Sequence, residues 1–80
     1  MDFATQMLFP TSETPSLEAE VILRLQRLRH ERGLSLQEVY DATGIHIARL
    51  EARKANMTVL TLATLCRHYE VALADFFRGL

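Results

Sequence analysis

The chain has 80 residues, 49% of them hydrophobic, and a formal net charge of −1. This length allows one small domain with a single core, and this hydrophobic content argues against a disordered chain. A lone cysteine, Cys66, excludes a disulfide within the chain and fits a reducing compartment. No apolar run approaches the roughly 20 residues needed to span a bilayer, and Met1 to Pro10 lacks the basic start of a signal peptide. We expect a soluble, cytoplasmic protein with no membrane association.

Residues 1–13 are expected to be an N-terminal tail or arm, and residues 14–80 the folded domain. Phe3, Met7, Leu8 and Phe9 are apolar but follow no clean period. Three alternatives stay open for them: packing on the domain, packing on a second copy, or a disordered tail.

The first helix is predicted to open at Thr14, as its cap, with Pro15 in the first helical position, where a missing N–H is harmless. Gly33 is expected to end it. Acidic residues lie in its early turns and basic residues in its last ones, as the helix dipole prefers. An apolar stripe at helical spacing contains Leu17, Val21, Ile22, Leu25 and Leu28.

The next stretch has the pattern of two short helices joined by a glycine turn. Ser35 and Glu38 form a capping box, and Leu34 and Val39 are placed as its hydrophobic staple. Gly44 can adopt positive φ and so end the second helix, predicted from Leu36 to Ala42. The third helix is expected to start near His46 or Ile47, with Ile47 and Leu50 facing inward. This layout is typical of a helix-turn-helix, whose second helix can enter a DNA major groove.

The remaining residues predict two more helices. After a loop at Ala55-Asn56-Met57, Thr58 is the expected cap of a fourth helix. A short fifth helix is expected from Leu73 to Arg78, anchored by Phe76 and Phe77. The fourth helix has a broad face expected to be buried, consisting of Val59, Leu62, Ala63, Leu65, Cys66 and Tyr69. The sequence therefore predicts an all-α fold, a compact bundle of about five short helices.

Charge is unevenly distributed along the chain. From Arg24 to Lys54, seven basic residues outnumber four acidic ones, a local charge of +3, whereas the rest of the chain carries −4. Positive charge is thus concentrated around the two-helix motif, where attraction of phosphate would require it. The same charges are also explained by a solvated helix face.

Three short motifs in a fixed order carry a family resemblance. They are Leu28-Arg29-His30-Glu31-Arg32-Gly33-Leu34-Ser35, then Ala48-Arg49-Leu50-Glu51 followed by Lys54 and Asn56, and then Thr61-Leu62-Ala63-Thr64-Leu65 leading to Val71-Ala72-Leu73. From about Leu25 to Phe77, two thirds of its length, the chain resembles the lambda-repressor-like helix-turn-helix domains, the Cro-like or XRE family of bacterial transcription regulators.

The resemblance implies roles for particular residues. Arg29 and Glu51 match the positions of a structural salt bridge between the first and third helices, a pairing that avoids an unpaired buried charge. The resemblance also implies DNA contacts from the third helix and the loop behind it, at the positions of Ala48, Arg49, Arg53, Lys54 and Asn56.

The sequence departs from the family pattern at three places. Leu36 stands where a phosphate-binding glutamine is usual, with Gln37 next to it. Only Ile45, His46 and Ile47 separate Gly44 from Ala48, where about six residues are usual. Tyr40 replaces a small alanine, and its ring is expected to fill space left by the short turn, so that Tyr40→Ala would cost roughly 3–5 kcal/mol.

Several candidate contacts have competing interpretations. His46 could donate to a base or a phosphate, or cap the third helix. Arg49 could contact guanine with two hydrogen bonds, or pair with Asp41 or another surface acid. Ser35 and Gln37, at a helix N-terminus, could hold a phosphate oxygen, although capping alone explains Ser35. The predicted DNA-binding residues are Ser35, Gln37, His46, Ala48, Arg49, Arg53, Lys54 and Asn56.

Enzymatic readings are disfavoured. Cys66 and His68 are two positions apart on a helix, so they do not form a nucleophile–base pair, and Cys66 is expected to be a small core residue. His30, His46 and His68 lack metal-ligand spacing, and the sequence has no glycine-rich phosphate loop. We expect no catalysis, no cofactor, no metal and no small-molecule substrate.

These observations favour a sequence-specific transcriptional regulator that inserts its third helix into the major groove of double-stranded DNA. Because so small a domain reads few base pairs, a homodimer on a palindromic site is expected. Two alternatives stay open. One is a protein-interaction or dimerisation module on the same fold, with weak or no base reading. The other is an antitoxin.

Overall fold

The computed structural model describes residues 16–80, and these residues form five helices with no strand among them. The helices are α1 (Leu17–Glu31), α2 (Leu36–Thr43), α3 (Ile47–Glu51), α4 (Val59–His68) and α5 (Leu73–Phe76). The predicted all-α bundle of five short helices is thereby confirmed. The expected tail at residues 1–13 lies outside the described residues.

The start of α1 differs from its prediction. Ser16 is the cap: it has extended backbone angles, and its hydroxyl accepts a hydrogen bond from the amide of Ala19 at 3.1 Å. The prediction of Thr14 as the cap is therefore wrong, and Thr14 and Pro15 lie outside the described residues. Two hydroxyl residues stood close together in the sequence, and only the backbone geometry decides which one caps the helix.

The predicted end of α1 at Gly33 is confirmed. Gly33 has φ +67°, a conformation that a side chain would disfavour. Its amide donates to the carbonyl of His30, and the amide of Leu34 donates to that of Arg29, at 3.0 and 3.1 Å. These two bonds form a Schellman motif, which satisfies carbonyls at the helix end and turns the chain toward α2.

The boundaries of α2 follow the predicted capping chemistry. The Ser35 hydroxyl accepts from the Glu38 amide at 3.0 Å, and the Glu38 carboxylate accepts from the Ser35 amide at 2.8 Å. Gly44 ends the helix with φ +75°. The helix runs one residue beyond the predicted Ala42, to Thr43, whose hydroxyl donates to the carbonyl of Val39 at 2.7 Å.

The core lies between all five helices. Its fully buried members include Leu25 of α1, Val39 of α2, Ile47 of α3, Leu65 of α4 and Phe76 of α5. Each of the five helices thus contributes at least one side chain to a single cluster. Burial of Ile47 and Leu50 fixes which face of α3 is left for solvent.

Three side chains predicted to be buried are instead exposed. The exposed fractions are 60% for Leu17, 77% for Val59 and 39% for Phe77. Leu17 and Val59 are the first residues of their helices, and Phe77 follows the last residue of α5. Helical periodicity does not show where a facing helix ends, so these terminal positions extend the apolar stripe beyond the core. The fifth helix ends at Phe76, whereas the sequence predicted an end at Arg78.

One buried ion pair joins α1 to α3. Arg29 Nε lies 2.7 Å from Glu51 Oε2, and its Nη2 lies 2.9 Å from Oε1, so the guanidinium binds both carboxylate oxygens. The two side chains are only 9% and 8% exposed. Arg29 Nη1 also donates to the carbonyl of Leu34 at 2.8 Å, which ties the pair to the turn before α2. The hydrogen bond to Glu51 raises the pKa of Arg29, although burial opposes that shift.

The ring of Tyr69 is fully buried beside this pair. Burial, reinforced by the Glu51 carboxylate, raises the pKa of Tyr69 to about 12. Its hydroxyl has no hydrogen-bond partner within residues 16–80. Cys66 is also buried, 2% exposed, and burial raises its pKa, so its thiol is a protonated core group.

Candidate nucleic-acid interface

The turn between α2 and α3 consists of Gly44, Ile45 and His46. The Thr43 hydroxyl accepts from the Ile45 amide at 3.1 Å, and the Ile47 amide donates to the Ile45 carbonyl at 2.8 Å. Half-buried Ile45 and fully buried Ile47 pack against the core on either side of exposed His46. The shortened turn therefore has its own hydrogen bonds and is anchored to the core at two positions.

Tyr40 lies against this turn, but not in the way expected. Its ring is 39% exposed, and its centroid is 4.7 Å from that of the His46 ring, at an interplanar angle of 33°. The ring thus lies beside the short turn, but the expectation that it is buried there, with a cost of roughly 3–5 kcal/mol for Tyr40→Ala, is wrong. The ring packs against the imidazole of His46. The His46 side chain makes no capping hydrogen bond to α3.

The N-terminus of α2 carries Ser35 and Gln37. Ser35 is occupied by its capping hydrogen bond, and Gln37 Nε2 donates to Asp41 Oδ1 at 2.8 Å along the exposed face. The amides of Leu36 and Gln37 have no acceptor among residues 16–80, since the first amides of a helix lack intrahelical partners. Two donors at the positive end of the helix dipole thus remain for an anion, close to the Glu38 carboxylate.

Three cations cluster at the C-terminal end of α3: Arg49, Arg53 and Lys54, all exposed. None of them has a carboxylate of residues 16–80 within 4.0 Å. Arg49 does not pair with Asp41, and its Nη2 instead donates to the carbonyl of Lys54 at 3.3 Å. This weak contact leaves most of the guanidinium donors available.

The backbone at Arg53 is strained. Arg53 has φ +62°, a left-handed conformation that glycine usually adopts at a helix end. The amides of Arg53 and Lys54 donate to the carbonyls of Leu50 and Arg49, at 2.9 and 2.8 Å. An arginine therefore occupies a Schellman position, and the chain turns sharply enough to place Lys54 beside α3.

Three adjoining surface depressions bring most of the predicted residues together. The first contains Gln37, His46 and Ala48, between α2 and α3. The second contains His46, Arg49 and Asn56, and the third contains Asn56, Arg53 and Lys54. Because His46 and Asn56 are each shared by two depressions, the three form one continuous surface. Ser35 lies next to it at the start of α2, but lines none of the three.

The local charge of +3 does not form a single patch. Arg24 Nη1 donates to the carbonyls of Phe76 and Arg78 at 2.8 and 2.6 Å, so this guanidinium binds the end of α5. Arg29 is paired with Glu51, and Arg32 Nε donates to the carbonyl of Tyr69. The charges counted along the sequence are thus divided between structural contacts and the surface around α3.

Two further residues of this surface are not among those predicted to bind DNA. Leu36 lines the first depression and Thr61 the second. In the sequence Thr61 stands out only as the first residue of the motif Thr61-Leu62-Ala63-Thr64-Leu65, which carries no sign of a surface role. In the structure its amide donates to Thr58 Oγ1 at 3.0 Å, as part of the α4 cap. Leu36 stands where glutamine is usual in the family, and its 39% exposure depends on how the helices pack, which the sequence pattern does not show.

Within residues 16–80, no three His, Cys, Asp or Glu side chains are grouped so as to hold a metal ion. In the same part of the chain, no helix has the length and apolarity required to cross a bilayer.

Comparison with known families adds an independent finding. A family model described as a Cro/C1-type HTH DNA-binding domain matches residues 24–78. The matched region starts within α1 and extends past the end of α5. No curated protein and no solved structure shows significant similarity to the chain.

Proposed function

Because the chain belongs to the Cro/C1-type helix-turn-helix DNA-binding domain family, we propose that it is a sequence-specific transcriptional regulator that binds double-stranded DNA in the cytoplasm. Members of this family are typically not enzymes. The observation that carries the proposal is the continuous surface from Gln37 to Lys54, whose three cations lack carboxylate partners within residues 16–80.

In this mechanism α3 is the helix that enters the major groove. Ile47 and Leu50 are 1% and 3% exposed and anchor it to the core, so Ala48 and Arg49 face outward. Arg49 supplies the planar donors that suit the O6 and N7 acceptors of guanine. His46, held by the ring of Tyr40, adds a donor at the start of the helix, and Ala48 offers a methyl contact for thymine.

Phosphate contacts come from both ends of the motif. Arg53 and Lys54 follow α3 and project from a sharply turned backbone, where their charge attracts the DNA strand beside the groove. Asn56 adds a neutral donor between them and His46. The free amides of Leu36 and Gln37, with the Gln37 side chain and Ser35 beside them, hold a second phosphate.

The length of α3 argues for two copies on the DNA. Five residues span about 7.5 Å at the helical rise of ~1.5 Å per residue, which covers roughly two base-pair steps. Such a short reading helix gives little discrimination alone. We therefore propose a homodimer that binds a pseudo-palindromic site with half-sites about one helical turn apart.

The test is a fluorescence anisotropy titration of a random-sequence duplex at several salt concentrations. We expect salt-dependent binding, with the slope of log affinity against log salt reduced by about one for Lys54→Gln, because one phosphate contact is lost. Arg53→Gly removes the other cation while providing the residue that the left-handed backbone favours, so this variant stays folded.

Arg27→Gln is the matched control, because Arg27 is an exposed arginine of α1 that lines a different cleft, with Glu20, Leu23 and Leu80. It removes the same charge away from the proposed surface and should leave the slope unchanged. An equal loss in Arg27→Gln would show only a general charge effect. No binding at low salt would reject the proposal.

Sequence reading is tested separately on a duplex selected from a random pool. Arg49→Lys keeps the charge but loses the two parallel donors, so preference for a guanine should fall while random-sequence affinity is retained. If the selected duplexes share no common sequence although the protein still binds random DNA, sequence-specific regulation would be contradicted.

One observation favours a second candidate, a protein-interaction module on the same fold. The short turn and the five-residue α3 leave few side chains for base reading. In that case random-sequence DNA would not bind at low salt, and the same surface would serve another protein. An antitoxin would combine the two activities, with a toxin as its partner.

A further inference from the structure

An apolar groove lies where the described part of the chain begins. Its volume is 290 Å³, and its apolar walls are formed by Leu17, Val21, Met57, Val59, Leu62 and Phe77. Within residues 16–80 nothing covers this groove, and Leu17 and Val59 are 60% and 77% exposed. Its walls therefore present apolar side chains that the five helices do not bury.

We propose that Met7-Leu8-Phe9 of the same chain bind in this groove. These three residues are consecutive and large, and residues 3–12 contain no charged side chain. The groove is equally apolar apart from Glu18 and Thr58. Burial of apolar surface against apolar surface, by a segment that brings no charge of its own to desolvate, is a favourable way to cover it.

The short connection between this segment and the groove favours it over any other occupant. Residues 10–15 join Phe9 to Ser16, the residue before the groove wall at Leu17. Six residues reach up to about 20 Å when extended, so the segment can fold back to the groove. A link this short gives an effective concentration in the millimolar range, which a second copy reaches only at high protein concentration.

The dimensions of the groove also fit. Its volume is roughly twice that of a cavity that accommodates one benzene molecule. Two side chains, such as those of Leu8 and Phe9, would fill it. The inference does not rest on the proposed DNA contacts, because none of the proposed DNA-binding residues lines this groove.

The test is disulfide trapping in the full chain carrying Phe9→Cys and Val59→Cys, with oxidised glutathione as the mild oxidant. Cys66 is retained, since burial leaves its thiol 2% exposed and raises its pKa. We expect an intramolecular disulfide, seen by non-reducing electrophoresis and intact mass, that forms at a rate independent of protein concentration.

The control pairs Phe9→Cys with Leu23→Cys. Leu23 is 55% exposed and lines a cleft on another part of α1. It is also much closer to Phe9 along the chain than Val59 is, so random encounters of a free tail would favour it. Trapping should nevertheless be at least tenfold faster with Val59→Cys than with Leu23→Cys.

A second measurement covers the case in which sulfur geometry prevents bond formation. In Leu8→Ser/Phe9→Ser, amide hydrogen exchange at the start of α4 should accelerate at least tenfold, while exchange in α2 stays unchanged. Equal trapping rates, or a mainly intermolecular disulfide, would overturn the proposal. The proposal would also be overturned if no disulfide formed and amide hydrogen exchange at the start of α4 stayed the same in Leu8→Ser/Phe9→Ser.

Discussion

The buried pair between Arg29 and Glu51 gives the sharpest stability prediction. Its two charge-assisted hydrogen bonds of 2.7 and 2.9 Å lie in a site where each side chain is less than 10% exposed. Removal of one partner leaves the other charge buried without compensation, which costs about 3–5 kcal/mol. A domain of this size has a total stability of roughly 4–12 kcal/mol.

Arg29→Met and Glu51→Leu should therefore each lower the free energy of unfolding by about 3–5 kcal/mol. Near the midpoint this corresponds to a fall in Tm of at least roughly 12 °C. Arg29→Met should be the more severe of the two, because it also removes the 2.8 Å donor to the Leu34 carbonyl in the turn before α2. Urea denaturation followed by circular dichroism measures both effects.

The double variant Arg29→Met/Glu51→Leu decides whether the physical argument is right. With both charges gone, no uncompensated charge remains, so the double variant should be less destabilised than the sum of the single variants by at least 2 kcal/mol or so. Additive losses, or single variants within about 1 kcal/mol of the parent protein, would refute the reasoning from buried charge.

Three further changes test other features of the fold. Tyr69→Phe removes a buried hydroxyl that has no hydrogen-bond partner within residues 16–80, so stability at pH 7 should change little or rise. With its pKa raised to about 12 from 10, Tyr69 contributes stability that is complete below pH 10 and is lost as the pH rises toward 12. The parent protein should lose roughly 2–3 kcal/mol more than Tyr69→Phe across that window in urea titrations. Arg53→Gly should raise the free energy of unfolding by about 1 kcal/mol by relieving a left-handed residue. Tyr40→Ala should cost about 0.5–1.5 kcal/mol, the value of an exposed aromatic pair with His46, rather than the larger value of a buried ring.

Each of these has its own control. Glu70 has φ +60° at the end of α4, so Glu70→Gly should be stabilising to a similar extent as Arg53→Gly, although the charge change is opposite. A gain in only one of them would point to charge rather than backbone strain. For Tyr40, His46→Ala should remove the same ring contact, and Tyr40→Ala should then have little further effect. If the stability of Tyr69→Phe and of the parent protein fell equally between pH 10 and pH 12, the raised pKa of Tyr69 would be contradicted.

Capping and helix-ending residues, which are recognisable in the sequence, determined where the helices around the turn begin and end. Ser35, Glu38, Gly33 and Gly44 act on neighbouring backbone groups, so their effect is readable without knowing what packs where. The same holds for the buried stripe of Val21, Ile22 and Leu25, because helical periodicity places them on one face.

Only the tertiary structure decided what each exposed or charged side chain does. Arg24 counted toward a basic region in the sequence, yet it binds the carbonyls of Phe76 and Arg78, more than 50 residues away. Val59 followed the buried pattern, yet it lies beyond the reach of the facing helices. Arg49, Arg53 and Lys54 form one surface with His46 and Asn56 because a short turn and a left-handed arginine bring them together. Such placements depend on contacts between distant segments, which periodicity and capping patterns do not encode.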